Sequence, residues 1–151
     1  MSYPFVRNQI RQWAAADFAL GGVQFFDSIN RVISPPHDSI WATVEFDPAS
    51  DSILDFCGAH LSTGVADFIF AGPPNVGDSA VLAAADTCIW YLMQRGNSAL
   101  TLAYAHQPEE FSNGTADHNY RIYVAVEYRF VFVPPKPTPP LARRDSNAGR
   151  N

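Results

Sequence analysis

Histidines are the residues in this chain best suited to acid–base or metal chemistry, and their spacing fits no metal-binding or catalytic signature. They lie in predicted loops or at predicted strand ends, at His37, His60, His106 and His118. The last two flank one loop, where Glu109 or Asp117 would add oxygen ligands for a metal. Loop histidines that simply face water explain the same pattern, so we predict no metal site.

The other candidates for chemistry are no stronger. Acidic side chains are many but scattered, and no serine lies in the GxSxG pattern of hydrolases. The turn at residues 72–77, GPPNVG, precedes a predicted helix, as a phosphate-binding loop does. It lacks the Lys-Ser/Thr pair that holds phosphate and magnesium, and its prolines remove N–H donors. We therefore predict that the protein is not an enzyme and has no catalytic residue and no cofactor.

Cysteine usage, charge and hydropathy exclude further classes. Cys57 and Cys88 fit neither a metal signature nor a disulfide scaffold, and Cys88 is predicted to lie in the core. The formal net charge of −5 argues against a nucleic-acid-binding protein, which needs a basic face. No apolar run approaches the ~20 residues that cross a bilayer, so we expect no membrane contact and synthesis in a reducing cytoplasm.

The charge divides the chain into two regions. Residues 1–133 contain six Arg and fourteen Asp/Glu, for a net charge of −8, and they are predicted to form one domain. Residues 134–151 carry a net charge of +3, and five of their first seven residues are prolines. Such a sequence cannot build a core, so we predict an extended, polyproline-like basic tail that spans on the order of 55 Å. It suits an acidic surface, such as that of a neighbouring copy, although a solvated tail explains the same composition.

Hydrophobic periodicity predicts the element order α-β-β-β-α-β-β. Apolar residues at helical spacing indicate helices over 4–20 and 78–94. Alternating or apolar runs indicate strands over 23–27, 40–47, 63–71, 99–106 and 119–133. Residues 48–62 are expected to form an exposed excursion, and residues 107–117 a polar loop.

One mixed, mainly antiparallel sheet with both helices on one face is the simplest α+β fold for this order. The second helix is long enough for a parallel crossover, whereas the other connections suit antiparallel neighbours. The last predicted strand is long and partly apolar on both faces. We expect it to pair on both sides or to protrude.

Aromatic residues and arginines outside the core are typical anchors of protein interfaces. Two helices cannot easily cover both faces of the sheet, which favours an oligomer. From these side chains, the acidic excursion and the basic tail we predict interface residues, namely Trp41, Asp51, Asp55, Tyr123, Arg129, Lys136, Arg143 and Arg144.

A series of short motifs extends over roughly residues 4–132. A helix comes first, Trp41-Ala42-Thr43-Val44 lies before the central segment, and Tyr120-Arg121…Tyr128-Arg129-Phe130 lies after it. The central motifs are Gly58, Thr63-Gly64, Phe68-Ile69-Phe70, Pro73, Gly77, Ala85-Asp86 and Leu92. This pattern resembles the small tail-terminator (tail-completion) proteins of long-tailed bacteriophages. The Pro-rich basic extension departs from the family pattern.

The resemblance implies a structural virion protein of the tail and neck, assembled in the host cytoplasm. It implies a hexameric ring at the head-proximal end of the tail tube, which ends tube polymerisation and joins tail to head. Its partners would be further copies, the tail tube protein and the head–tail connector or stopper. Genome DNA would pass through the lumen without sequence-specific binding, and an acidic excursion would repel its phosphates.

Two alternatives remain open at this point. The chain could form a head-side connector or stopper ring of the same neck. It could instead be a small-ligand-binding or enzymatic α+β domain whose residues converge only in space.

Overall fold

The structure of the chain is a computed structural model that describes residues 4–28, 36, 38–54, 58–73, 77–110 and 120–133. The segments with apolar periodicity form helices and strands in it. Within these residues there are two helices and seven strands. Their bounds are α1 (Pro4–Leu20), β1 (Gln24–Phe26), β2 (Trp41–Phe46), β3 (Ser50–Ile53), β4 (His60–Ala71), α2 (Asp78–Met93), β5 (Leu100–Ala105), β6 (Glu109–Glu110) and β7 (Arg121–Phe132). The tail predicted for residues 134–151 lies outside the described residues.

The strands form one mixed sheet in the order β1-β2-β4-β7-β5, which confirms the α+β class. Strand β3 extends the sheet beside β4, and β6 pairs with β7. Pairing is antiparallel except between β1 and β2. The long strand β7 pairs on both sides, as the sequence predicted, with β4 on one side and with β5 and β6 on the other.

Both helices pack on the same face of this sheet. One core cluster joins the apolar stripe of α1, which includes Ile10 and Phe18, with that of α2 and with alternate residues of β2, β4, β5 and β7. The Phe18 ring lies 5.4 Å from that of Phe68 and 5.3 Å from that of Phe70. The stripe of α1 and its bounds are those that helical spacing predicted.

Three details of the predicted topology were wrong. Strands β1 and β2 are parallel, although their connection was expected to suit antiparallel neighbours. The excursion at 48–62 contains β3 and the start of β4, and the polar loop at 107–117 contains β6. These short strands are polar, so their sequence carries no alternating apolar signal, and a long neighbouring strand supplies their hydrogen bonds.

The α2 crossover does join two parallel strands, β4 and β5, but β7 lies between them. Because β4 and β5 are each antiparallel to β7, they are parallel to each other.

An ion pair fixes the end of α1 to the end of α2. Asp17, which is only 2% exposed, accepts hydrogen bonds from the Arg95 guanidinium at 2.8 and 3.1 Å. This contact raises the pKa of Arg95. Nearby, Cys88 lies in the core as predicted, and burial followed by the charge of Asp17 raises its thiol pKa to about 12. The thiol therefore stays protonated and acts as a small apolar residue.

The register between β4 and β7 depends on a close approach at Gly64. Gly64 lies opposite Tyr128, whose side chain is 1% exposed and covers the glycine Cα. A Cβ at position 64 would overlap the Tyr128 ring and hydroxyl. A side chain at this point would therefore displace a core aromatic residue.

We expect Gly64→Ala to lower the free energy of unfolding by about 1–3 kcal/mol, because overpacking strains a filled core. The matched control is Gly96→Ala, whose Cβ would meet only the Leu100 carbonyl oxygen at 3.6 Å. Chemical denaturation measures both changes. In a Tyr128→Leu background the cost of Gly64→Ala should shrink. An equal cost in both backgrounds would contradict this packing account.

Candidate interaction surfaces

The sheet face opposite the helices, here called the outer face, carries several of the predicted interface residues. Trp41 lies there on β2, but it is only 4% exposed, so its prediction as an exposed aromatic was wrong. The edge of its ring system packs against Phe26 of the neighbouring strand, with centroids 6.0 Å apart. It does not belong to the helix-side core cluster. The outer face therefore has a buried aromatic patch of its own.

Tyr123 and Arg129 also lie on the outer face, six residues apart along β7. Tyr123 is half-buried, and its hydroxyl donates a hydrogen bond to Glu109 of β6. That bond, followed by burial, raises the Tyr123 pKa. Arg129 is exposed and lies opposite Thr63.

The other predicted interface residues do not join this group. Asp51 is exposed on β3 and lies opposite Ser62 at the sheet margin. The remaining four, Asp55, Lys136, Arg143 and Arg144, lie outside the described residues.

The sheet register gathers four carboxylates that the sequence leaves scattered, here called the acidic row: Glu45, Asp47, Asp67 and Glu127. Glu45 lies opposite Asp67 across the β2–β4 pair, and Asp47 follows two residues later on the same face. Glu127, on β7, bonds His106 at 2.9 Å. Burial raises the pKa of Asp67 most, and the nearby charges of Asp47 and Glu45 raise it further, whereas His106 lowers it. The row repels anions, including phosphate groups.

The position of the acidic row could be predicted from the sequence only in part. Strand alternation puts Glu45 on the same face as Trp41, and Glu127 on the same face as Tyr123. Only the pairing register shows that both glutamates flank Asp67.

Exposed apolar side chains concentrate at one end of the sheet, here called the distal ribbon: β3, Leu54, residues 60–63 and residues 130–133. Ile53 is 73% exposed, Val133 68%, Leu54 50% and Val131 41%. Phe5, which is 56% exposed, packs on Phe130 at the base of the ribbon. Such clustering of apolar surface is typical of a protein interface.

Stacked rings stiffen the distal ribbon on its helix side. His60 stacks on Phe132 at 5.4 Å, and Phe132 stacks on Phe130 at 5.6 Å. The contact of His60 with Phe132 crosses the β4–β7 pair, and such cross-strand contacts stabilise a sheet register. The ribbon is therefore a defined surface rather than a loose loop.

A second apolar surface, here called the Trp90 surface, lies where α2 passes the end of β5. Trp90 is 61% exposed, and its ring contacts that of Tyr91 edge-on at 5.2 Å. Tyr104 does not belong to this surface: it lies opposite Glu127, so its side chain is on the outer face, where it is 55% exposed and packs against His106 at 5.0 Å. Two hollows flank Trp90, and Asp86 borders both. Their volumes, 240 and 340 Å³, are near or below the ~300 Å³ lower end of small-molecule sites, so they suit single side chains.

No catalytic arrangement emerges among the described residues. No group of three or more His, Cys, Asp or Glu side chains within them could hold a metal ion. His106, one of the proposed ligands, bonds Glu127 instead, while His118 and Asp117 lie outside the described part. No helix in the described part is long and apolar enough to span a membrane.

We expect Asp67→Asn to raise the melting temperature at pH 7. Because the folded-state pKa of Asp67 is raised, its protonated form fits the fold better than its ionised form. The stability that this group contributes is therefore lost as pH rises through that pKa. The gain from the amide should shrink as pH falls towards the ordinary Asp value of 3.8. Thermal unfolding from pH 4 to 8 measures it, with exposed Asp86→Asn as control; a pH-independent gain, or a loss at pH 7, would contradict this account.

No protein-family model matches the chain, and no curated protein matches it. The function is therefore argued from the two apolar surfaces and the acidic row.

Proposed function

We propose that this chain is a structural virion protein that forms a ring at the head-proximal end of a phage tail tube. The ring ends tube polymerisation and joins the tail to the head. The observation that carries the proposal is the presence of two different exposed apolar surfaces on one small domain. The α+β architecture, which agrees with the fold that the sequence resemblance implies, is its second support.

Two distinct surfaces are what a closed ring requires. In a head-to-tail interface each copy presents one surface to the next copy and a different surface to the previous one. The distal ribbon ends at Val133, whereas Val124 lines a hollow of the Trp90 surface. Nine residues of extended strand separate them, which is about 30 Å at ~3.3 Å per residue. A rotation that repeats this contact closes the ring, and the proposed number of copies is six.

The acidic row gives the proposed ring a suitable inner surface. Carboxylates that face a lumen repel the DNA backbone, so DNA passes without sequence-specific contact. The polar, half-exposed character of the row agrees with a surface that meets water rather than another apolar surface. The tail tube protein and the head-side connector would then contact the two rims of the ring.

A head-side connector or stopper ring remains the second proposal, since the same two surfaces serve any ring of the neck. An enzyme is the less favoured proposal. The hollow in which Asp47 and Glu127 meet the hydroxyls of Ser50 and Thr63 is open to solvent, and no described histidine lines it.

Charged substitutions on the distal ribbon test the ring interface. We expect the double variant Ile53→Asp, Val131→Asp to lose self-association, because a buried carboxylate opposes burial of the apolar surface. Light scattering should show a mass of about 100 kDa, six times 16.6 kDa, for the native chain and a monomer for the variant. Binding to purified tail tubes gives a second readout. Leu20→Asp, a 67% exposed residue at the other end of α1, is the control and should assemble normally. Normal assembly by the ribbon variant would exclude this interface.

Particles made without the protein test the place of the ring. We expect electron microscopy to show overlong tails that are not attached to heads, because nothing would cap the tube. Supplying the native chain in trans should restore both length and attachment. Tails of normal length without heads would favour the connector or stopper. A strict monomer that also ignores purified tail tubes would remove the whole proposal.

A further inference from the structure

We propose that the proline-rich segment 134–140 of one copy docks on the Trp90 surface of the next copy. The segment PPKPTPP directly follows the distal ribbon, so both would approach the same neighbour. The inference rests on the head-to-tail association of the proposed function, but not on the position of the ring in a phage neck.

The acceptor side has an exposed aromatic ring beside two hollows, as proline-recognition surfaces do. Trp90 of α2 is 61% exposed and lines both hollows. One hollow is completed by His106 and Pro108, and the other by Thr87 and Tyr91. Proteins that bind polyproline helices use grooves lined by exposed aromatic rings. Here the hollow at Thr87 and Tyr91 is mainly apolar, whereas the hollow at His106 and Pro108 is more polar than apolar.

The ligand side has the matching sequence. Pro134–Pro137 and Pro137–Pro140 are two consecutive P-x-x-P repeats, and three residues make one turn of a polyproline helix. Successive prolines of each repeat therefore fall on the same side of the helix. Prolines are already restricted in the unbound chain, so docking costs little conformational entropy.

Charge complementarity also supports the docking. Asp86 and Trp90 are four residues apart on α2, so they share one helix face. The Asp86 carboxylate borders both hollows and is exposed. The segment carries Lys136 within the proline run and Arg143 one polyproline turn after Pro140. Either cation can approach Asp86 while prolines occupy the hollows.

Distance assigns the segment to a neighbouring copy. The seven residues 134–140 span about 22 Å at ~3.1 Å per residue. The hollow lined by Val124 lies about 30 Å back along β7 from Val133, by the strand spacing of ~3.3 Å per residue. The proline run is therefore too short to cover the Trp90 surface of its own subunit. It also starts from a strand that is directed away from that surface.

Photo-cross-linking in the full-length chain tests this proposal. A photoreactive phenylalanine replaces Thr138 in one preparation, which is mixed with an ¹⁵N-labelled native preparation. We expect mass spectrometry to find cross-links from position 138 to residues 86–91 of the labelled copy. A peptide of residues 134–145 should compete, whereas a scrambled peptide should not. Cross-links confined to the unlabelled copy, cross-links to other surfaces, or none at all would each overturn the proposal.

Two variants of the acceptor surface, Trp90→Ala and Asp86→Lys, sharpen the test. Each should lower the cross-link yield, Trp90→Ala by about tenfold, as expected for an interface hot spot. Both side chains are exposed, so the melting temperature should change little, and circular dichroism checks it. Leu20→Ala, at an exposed apolar residue of α1 that lines neither hollow, is the control and should cross-link normally. Two combined outcomes separate this inference from the proposed function. Intermolecular cross-links, together with normal tails in particles that lack the protein, would exclude the neck function and support the docking. Overlong tails in those particles, together with an absence of cross-links, would support the neck function and exclude the docking.

Discussion

The pairing of β4 with β7 is the constraint on which the rest of the structure depends. Twelve consecutive residue pairs join the strands, from His60 with Phe132 to Ala71 with Arg121. Because side chains alternate, a slip of one residue would exchange the two faces of β7 and expose its apolar face to water. The close fit of Tyr128 over Gly64 opposes such a slip. One ladder therefore sets both the core under the helices and the polar face opposite them.

The sheet edges favour association through side chains rather than through added strands. Strand β1 has only three residues, and the register of β5 shifts between Leu102 and Tyr104. Short and irregular edges are the usual protection of a sheet against pairing with another chain. Most of the large apolar side chains that the described residues leave exposed lie on the distal ribbon or at its base, with Trp90 on α2. A head-to-tail contact between side-chain surfaces can repeat by rotation and close, whereas edge pairing tends to continue into open fibres.

Sequence periodicity was sufficient for the elements that carry their own apolar face. The bounds of α1 follow from its apolar stripe, and the long strand β7 follows from the alternation of its apolar residues, whereas the start of β4 was missed. Strands β3 and β6 were missed because neighbouring strands hold them, which no local pattern records. The burial of Trp41 depends partly on Phe26, fifteen residues away in sequence and joined only by a parallel pairing. The acidic row likewise depends on the pairing register of β2, β4 and β7, so carboxylates that are scattered in the sequence come together only in the folded chain.

A weak proline contact would be enough to matter in the proposed ring. Short proline-rich segments bind through few side chains, and their affinity alone would not hold two copies together at cellular concentration. The segment follows the distal ribbon directly in sequence, so a bound ribbon would present the segment to its proposed acceptor at a high effective concentration. Closure of the proposed ring would strengthen this effect, because a copy would leave only after both of its neighbour contacts had broken. Under this proposal the two contacts support each other, and the connection between ribbon and proline run at Val133 is as important to assembly as either surface.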